Sequence, residues 1–239
     1  MEEFRITDDK LIRFMWTCNY YYSRKKNPFH NFYHGVAVCH AANYFLHNVP
    51  KLSAILSSEE KFGMVIAALG HDLDHRGRNN AFEINTNSKL ACRYNDKSPL
   101  ENHHAATLFK ILKDENKNIF ENLDLSSKKE MCNGQNTEVQ NVRKMIIENI
   151  LSTDMATHFS ELASFKSRIV EDKDFGTDSK NFSEKSKISS IFVHTADLSG
   201  SVKQIDYSSK WTKLVNEEFS AQFNEEAELG IPQTPWFAN

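Results

Sequence analysis

The sequence has no Cys-x-x-Cys spacing; its four cysteines, Cys18, Cys39, Cys92 and Cys132, are scattered. That pattern favours free thiols in a reducing compartment over a disulfide framework. Glycine (8) and proline (5) are scarce, and period-two alternation is almost absent, so a fold rich in strands is set aside. No charge of one sign dominates. The net charge is -3 with both signs interspersed, which leaves no basic footprint for nucleic acid. Arg24-Lys25-Lys26 and Lys128-Lys129 are short and read as solvated faces. The longest apolar run, Met64 to Leu69, is far short of the roughly 20 residues that span a bilayer. No membrane contact is expected of this segment. The opening Met-Glu-Glu-Phe-Arg is no signal peptide, so a cytoplasmic location is expected, with an anchor elsewhere in a longer parent left open.

What is present is helical. The 239 residues are 40% hydrophobic and 26% charged, enough for one large domain with a sizeable core. Ser57-Ser58-Glu59-Glu60 reads as a capping box, followed by Phe62, Val65, Ile66 and Leu69 at helical spacing. Ser98-Pro99 starts a second helix, Asn27-Pro28 a third and Thr137-x-x-Gln140 a fourth, with others near 186–196 and 207–228. Segments 124–136 and 171–181 are polar and read as exposed loops. The chain closes on Trp236 and Phe237, whose rings want partners.

Against this background the stretch MVIAALGHDLDHRG, residues 64–77, stands out. An apolar helix runs into His71-Asp72-Leu73-Asp74-His75, four of whose five residues titrate or bind metal. His30 and His34 are four apart and would share a face on a helix. His194-x-x-Asp197 follows another apolar run. Each piece alone is weak, because a lone histidine on an apolar face is more often a hydrogen-bonded core residue than a ligand. Together, three apolar helices each deliver imidazole or carboxylate. A buried, unpaired carboxylate is costly, and a divalent cation removes that penalty. Two histidines with two carboxylates suit zinc or a similar first-row metal. Glu218 falls on an apolar stripe with Trp211 and Val215. A glutamate there needs a partner, for which a nearby lysine would serve.

The motifs NPFHNFYHG, GHDLDHRGRNN, RYNDKSPLENHH, LSTDMATH and HTADLSG stand in an order that resembles the catalytic domain of class I 3',5'-cyclic nucleotide phosphodiesterases. The likeness runs from about Leu11 to Pro235. NPFHNF, RYNDKSPLENHH and NIF look most like the high-affinity cGMP-specific branch. The resemblance implies an all-α, multi-helix HD-type domain over 1–239, incomplete at its C-terminal end and missing first helices at the other. It implies His34, His71, Asp72 and Asp197 as ligands of a first metal, usually zinc. Asp72 would also touch a second, usually magnesium (or manganese), whose waters His75, Glu101 and Thr153 would hold. A bridging hydroxide would attack phosphorus, His30 would protonate the leaving 3' oxygen, and Glu218 would orient His30. The implied partner is a cyclic nucleotide, cGMP rather than cAMP, cleaved to the 5'-monophosphate. The oligomeric state is left open. Another HD-type phosphohydrolase would need only the ligands.

Some positions depart from the family. Gly35 stands where alanine is usual; both are small, so little is expected to follow. Gly200 replaces an asparagine near the nucleotide. The family's purine-binding glutamine and aromatic clamp lie beyond this chain's end. The sequence therefore leads to the expectation of a metal-bearing core with low activity.

Overall fold

A computed structural model describes residues 4–123 and 138–237, apart from the side chains of Glu138, Val139 and Trp236. Thr137, the 124–136 loop and the Trp236 ring lie outside the described residues. Eleven α-helices and several short 3-10 turns make up the described chain, with no strand among them.

The helix that ends in the His-Asp run organises the rest. Counting in chain order, α1 spans Asp8–Ser23, α2 Phe32–Asn48, α3 Pro50–Ile55 and α4 Ser58–Gly70. Ser57 and Glu60 form the expected box: the serine hydroxyl accepts from the Glu60 N–H at 3.2 Å, and the glutamate accepts from the Ser57 N–H at 2.9 Å. Ile66, Ala67 and Leu69 of α4 join one core with Phe14 and Tyr22 of α1. Met64 and Ala68, on the opposite side, join a second core with Val38 and Leu46 of α2. A helix buried on both sides must be apolar nearly all round. Ile66, Leu69 and Met64 each contribute about 1.5–3 kcal/mol by leaving water. The His-Asp run therefore emerges at the centre of the molecule.

Two short helices, α5 (Asn80–Asn85) and α6 (Lys89–Tyr94), lead to α7 (Pro99–Leu112), and α8 (Glu138–Leu151) follows. The first core takes Leu108 and Ile111 from α7 and Ile146 and Ile150 from α8. α9 spans His158–Glu171, α10 Phe182–Leu198 and α11 Ile205–Leu229. Val193 and Ala196 of α10 complete the second core. The expected 171–181 loop corresponds to the α9–α10 connection, and its Phe175 packs against that core. Phe237 finds its partner inside the chain, stacked on Phe219 of α11 with ring centroids 3.9 Å apart.

One helix start differs from expectation. The Asn27-Pro28 segment does not open a helix; α2 begins at Phe32, capped by Asn31, whose side chain accepts from the Tyr33 N–H. The N–H groups of Phe29 and His30 are bound by Glu218 instead. Asn27 donates to the carbonyls of His30 and His75. His30 thus lies in a bend ahead of α2 rather than on one helical face with His34.

Candidate active site

His34 lies in the first turn of α2, His71 caps the C-terminus of α4, and Asp197 lies in the last turn of α10. α2 runs against the other two, so all three meet at one end. Nε2 of His34 is 3.2 Å from Nε2 of His71, 3.3 Å from Asp72 Oδ2 and 3.0 Å from Asp197 Oδ1. Nε2 of His71 is 3.1 Å from the same Asp72 oxygen and 3.2 Å from the same Asp197 oxygen. Four ligand atoms bonded to one cation at about 2.0–2.2 Å would be separated by about this much.

The donor set fits a cation for two further reasons. The Nδ1–H of His71 donates to the Ala68 carbonyl at 2.8 Å, which leaves its Nε2 lone pair facing the two carboxylates. Those carboxylates also sit at or just past the negative ends of α4 and α10, where helix dipoles disfavour anions. A proton on the same nitrogen is favoured for the same reason. Burial opposes charging of His71, yet Asp72 and Asp197 hold its pKa well above the ordinary imidazole value. Burial likewise disfavours the Asp72 anion, but His71 and His30 hold that carboxyl well below its usual range. His34, His71 and Asp72 form one group with metal-ligand spacing, and Asp72, His75 and His104 form another.

His30 and Glu218 form the second element of the site. Glu218, 3% exposed, accepts from His30 Nδ1 at 2.5 Å through one oxygen. Its other oxygen accepts from the N–H groups of Phe29 and His30 at 3.0 and 3.1 Å. Burial would discharge the His30 ring, but Glu218 and Asp72 outweigh it and raise the pKa to about 9. The His75 ring stacks on His30, with centroids 4.0 Å apart. His75 Nδ1 accepts from the Gly77 N–H at 3.0 Å, and burial together with the His30 charge keeps this ring well below its usual pKa. A charged ring therefore lies against a neutral one.

His30, Asp72, His75, Asp197 and Glu218 line one cavity of about 620 Å³, with Glu101, Thr153, Phe219, Gln222 and Phe237 on its walls. Both Glu101 oxygens accept from Asn80 Nδ2, at 2.9 and 3.2 Å. Burial and the neighbouring Asp154 raise the Glu101 pKa to about 7. The Thr153 hydroxyl donates to the Ile150 carbonyl at 2.8 Å. The structure thus brings together all nine expected site residues.

Sequence reasoning gave less weight to several neighbours. His104, 1% exposed, donates from Nδ1 to the Leu73 carbonyl and turns Nε2 to within 3.7 Å of Asp72 Oδ1. Its position three after Glu101 was the available signal. Gln222, one helical turn after Glu218, accepts from the Asn79 N–H and donates to Asn79 Oδ1. Asp74, in the motif, adopts a left-handed backbone (φ 66°) and turns away to Arg24 and His103, each at 2.8 Å. Trp211 covers the site from outside, 6.2 Å from the His34 ring.

Residues 29–239 match the family model for 3'5'-cyclic nucleotide phosphodiesterase. A 3',5'-cyclic-AMP phosphodiesterase (isoform F) of Drosophila melanogaster is 37% identical over 227 residues, covering 94% of this chain and 32% of the relative. The dual specificity calcium/calmodulin-dependent 3',5'-cyclic nucleotide phosphodiesterase 1B of Cricetulus griseus is 35% identical over 235 residues, covering 98% and 40%. The chain thus spans about a third of the length of these curated relatives. The crystal structure of the phosphodiesterase domain of Salpingoeca rosetta rhodopsin phosphodiesterase superposes with a TM-score of 0.88 at 33% identity, covering all of this chain and 68% of that one. Among the described residues no helix is long and apolar enough to cross a membrane. On the extent of the family match and the shared all-helical fold, the chain belongs to the 3',5'-cyclic nucleotide phosphodiesterase family.

Proposed function

We propose that the chain hydrolyses a 3',5'-cyclic nucleotide to the nucleoside 5'-monophosphate, with cGMP preferred to cAMP. The observation that carries this reading is the convergence of the His34 and His71 Nε2 atoms, 3.2 Å apart, each within 3.0–3.3 Å of an oxygen of Asp72 and of Asp197, beside a cavity that Asp72, Asp197 and His30 line. These four residues would hold a first cation, with zinc suited to the mixed nitrogen and oxygen donors. Asp72 would also serve a second, magnesium or manganese, whose waters His75, Glu101 and Thr153 would hold. When bound, the ions supply an acidified water and neutralise charge on the phosphoryl oxygens.

The chain's own residues do the rest. A water that has lost one proton to solvent bonds through its oxygen to phosphorus, and the bond from phosphorus to the 3' oxygen breaks, its electron pair leaving with that oxygen. The departing alkoxide needs a proton. His30 holds one, and because Nδ1 faces Glu218, the proton it gives is the one on Nε2. Glu218 fixes the ring and its backbone together, so the acid is aimed before substrate arrives. A phosphohydrolase acting on another ester would need the ligands alone. The buried His30–Glu218 pair favours a substrate whose leaving group is a poor one.

The cGMP preference rests on the likeness of NPFHNF and RYNDKSPLENHH to the cGMP-specific branch. The two curated relatives named above are described as a cyclic-AMP and as a dual specificity cyclic nucleotide phosphodiesterase, so the two substrates must be compared directly. The test is turnover of cGMP and cAMP with zinc and magnesium or manganese supplied. Slow hydrolysis of both, with the higher kcat/KM for cGMP, is expected. Cleavage of neither would overturn the proposal, and a higher kcat/KM for cAMP would overturn the preference.

A further inference from the structure

The end of α4 presents backbone groups that the helix cannot satisfy. Ala68 gives its carbonyl to the His71 ring. The next carbonyl, of Leu69, accepts from the hydroxyl of Tyr22 at 2.8 Å. That same hydroxyl accepts from the N–H of Asp72 at 3.3 Å. Tyr22 comes from α1, is 1% exposed, and its ring packs in the first core. One phenol oxygen therefore ties the last turn of α4 to the backbone of Asp72.

Room for this oxygen comes from a third element. A Cβ at Gly35 would lie 2.8 Å from Tyr22 Oη, 2.9 Å from its Cζ and 3.1 Å from the Leu69 carbonyl oxygen. No real Cβ is tolerated at such distances without movement of its neighbours, and here they are a ring in a packed core and a backbone carbonyl. Gly35 directly follows His34. Alanine at this position would therefore require Tyr22 or the end of α4 to shift from where it stands here.

We infer that Tyr22 is a positioning residue for the metal centre, setting the backbone of Asp72 through its hydroxyl in a space that glycine at position 35 leaves open. Tyr22 touches neither substrate nor cation; it acts through Asp72, and through Gly35 it is packed against the turn that carries His34. The inference rests on the metal-centre reading above. Hydrogen-bond partners that orient ligands in this way typically change metal affinity by about 10–100-fold when removed.

The test compares wild type, Tyr22→Phe, Gly35→Ala and the double variant, each first checked for native helicity by circular dichroism. Zinc affinity is measured by competition with a chromophoric chelator, and kcat and KM are measured across a metal titration. Wild type binds zinc. Tyr22→Phe binds it about 10–100-fold more weakly, and its loss of kcat is recovered at high metal concentration while KM holds. Gly35→Ala weakens binding in the same direction, and the double variant falls short of the sum because both changes disturb one contact. If Tyr22→Phe does not fold, Gly35→Ala carries the same comparison. Zinc affinity equal to wild type in a folded variant, with only thermal stability reduced, would show that Tyr22 merely packs. Absence of zinc binding by wild type itself would instead remove the metal-centre reading.

Discussion

His30 and Glu218 are 188 residues apart in the chain, and Nδ1 of one meets Oε1 of the other at 2.5 Å. The contact joins the bend before α2 to the middle of α11, and it sets the protonation of the only imidazole proposed to act as an acid. Its consequences can be measured.

The pH profile should carry the signature of this pair. His30 works as the imidazolium, so activity is present below its pKa and is lost as pH rises through it. Glu218 and Asp72, working against burial, raise that pKa to about 9. A cation on Asp72 cancels part of the second contribution, so the alkaline limb of kcat/KM should fall between the ordinary imidazole value of about 6.5 and about 9. Glu218→Gln removes the carboxylate charge and should move this limb to lower pH. A limb unmoved in Glu218→Gln would mean that another group titrates.

Truncating the acid should separate chemistry from metal binding. His30→Ala should lower kcat by about 10²–10⁴-fold, the range for general acid catalysis, while zinc content stays at the wild-type level. Elemental analysis alongside kinetics checks both. Loss of zinc in this variant would place His30 among the ligands instead.

The second cation should show its own pH dependence. Burial and Asp154 raise the Glu101 pKa to about 7, and a carboxylate must be ionised to hold metal-bound water most strongly. Apparent magnesium affinity should therefore rise between pH 6 and 8 and flatten in Glu101→Gln, as read from the magnesium dependence of turnover at each pH. An equally steep rise in that variant would assign the dependence elsewhere.

Stability near the site should depend on Gly77. Its φ is +70°, and a Cβ there would lie 2.8 Å from Asn27 Oδ1. Asn27 is the residue that ties the carbonyls of His30 and His75. Gly77→Ala should cost about 1–2 kcal/mol from the left-handed backbone alone and more from the displaced asparagine, lowering Tm by several degrees. An unchanged Tm would show that the turn relaxes freely.

Much of this was legible in the sequence, and the exceptions have physical reasons. The capping box at Ser57 and the stripe that follows it are local signals, and α4 has the start they specify. The proposed ligands could be picked out because imidazole and carboxylate recur at the ends of apolar helices, in motifs whose order resembles the family's. Glu218 was visible for a similar reason, as a charge on a buried stripe. The bend at 27–31 was not, because its helix-breaking partner, Glu218, is distant in sequence. Nor was Tyr22, one aromatic in the run Tyr20-Tyr21-Tyr22; nothing local tells which of the three turns its hydroxyl inward. The effect of Gly35 also depends on a neighbour from another helix, so composition alone made glycine and alanine look equivalent.

The most direct test of the account is anomalous diffraction at the zinc edge from crystals of the protein grown with zinc. The account predicts a peak within about 2.0–2.2 Å of Nε2 of His34 and His71 and of one oxygen each of Asp72 and Asp197. A peak absent from that point, or lying among other residues, would contradict it.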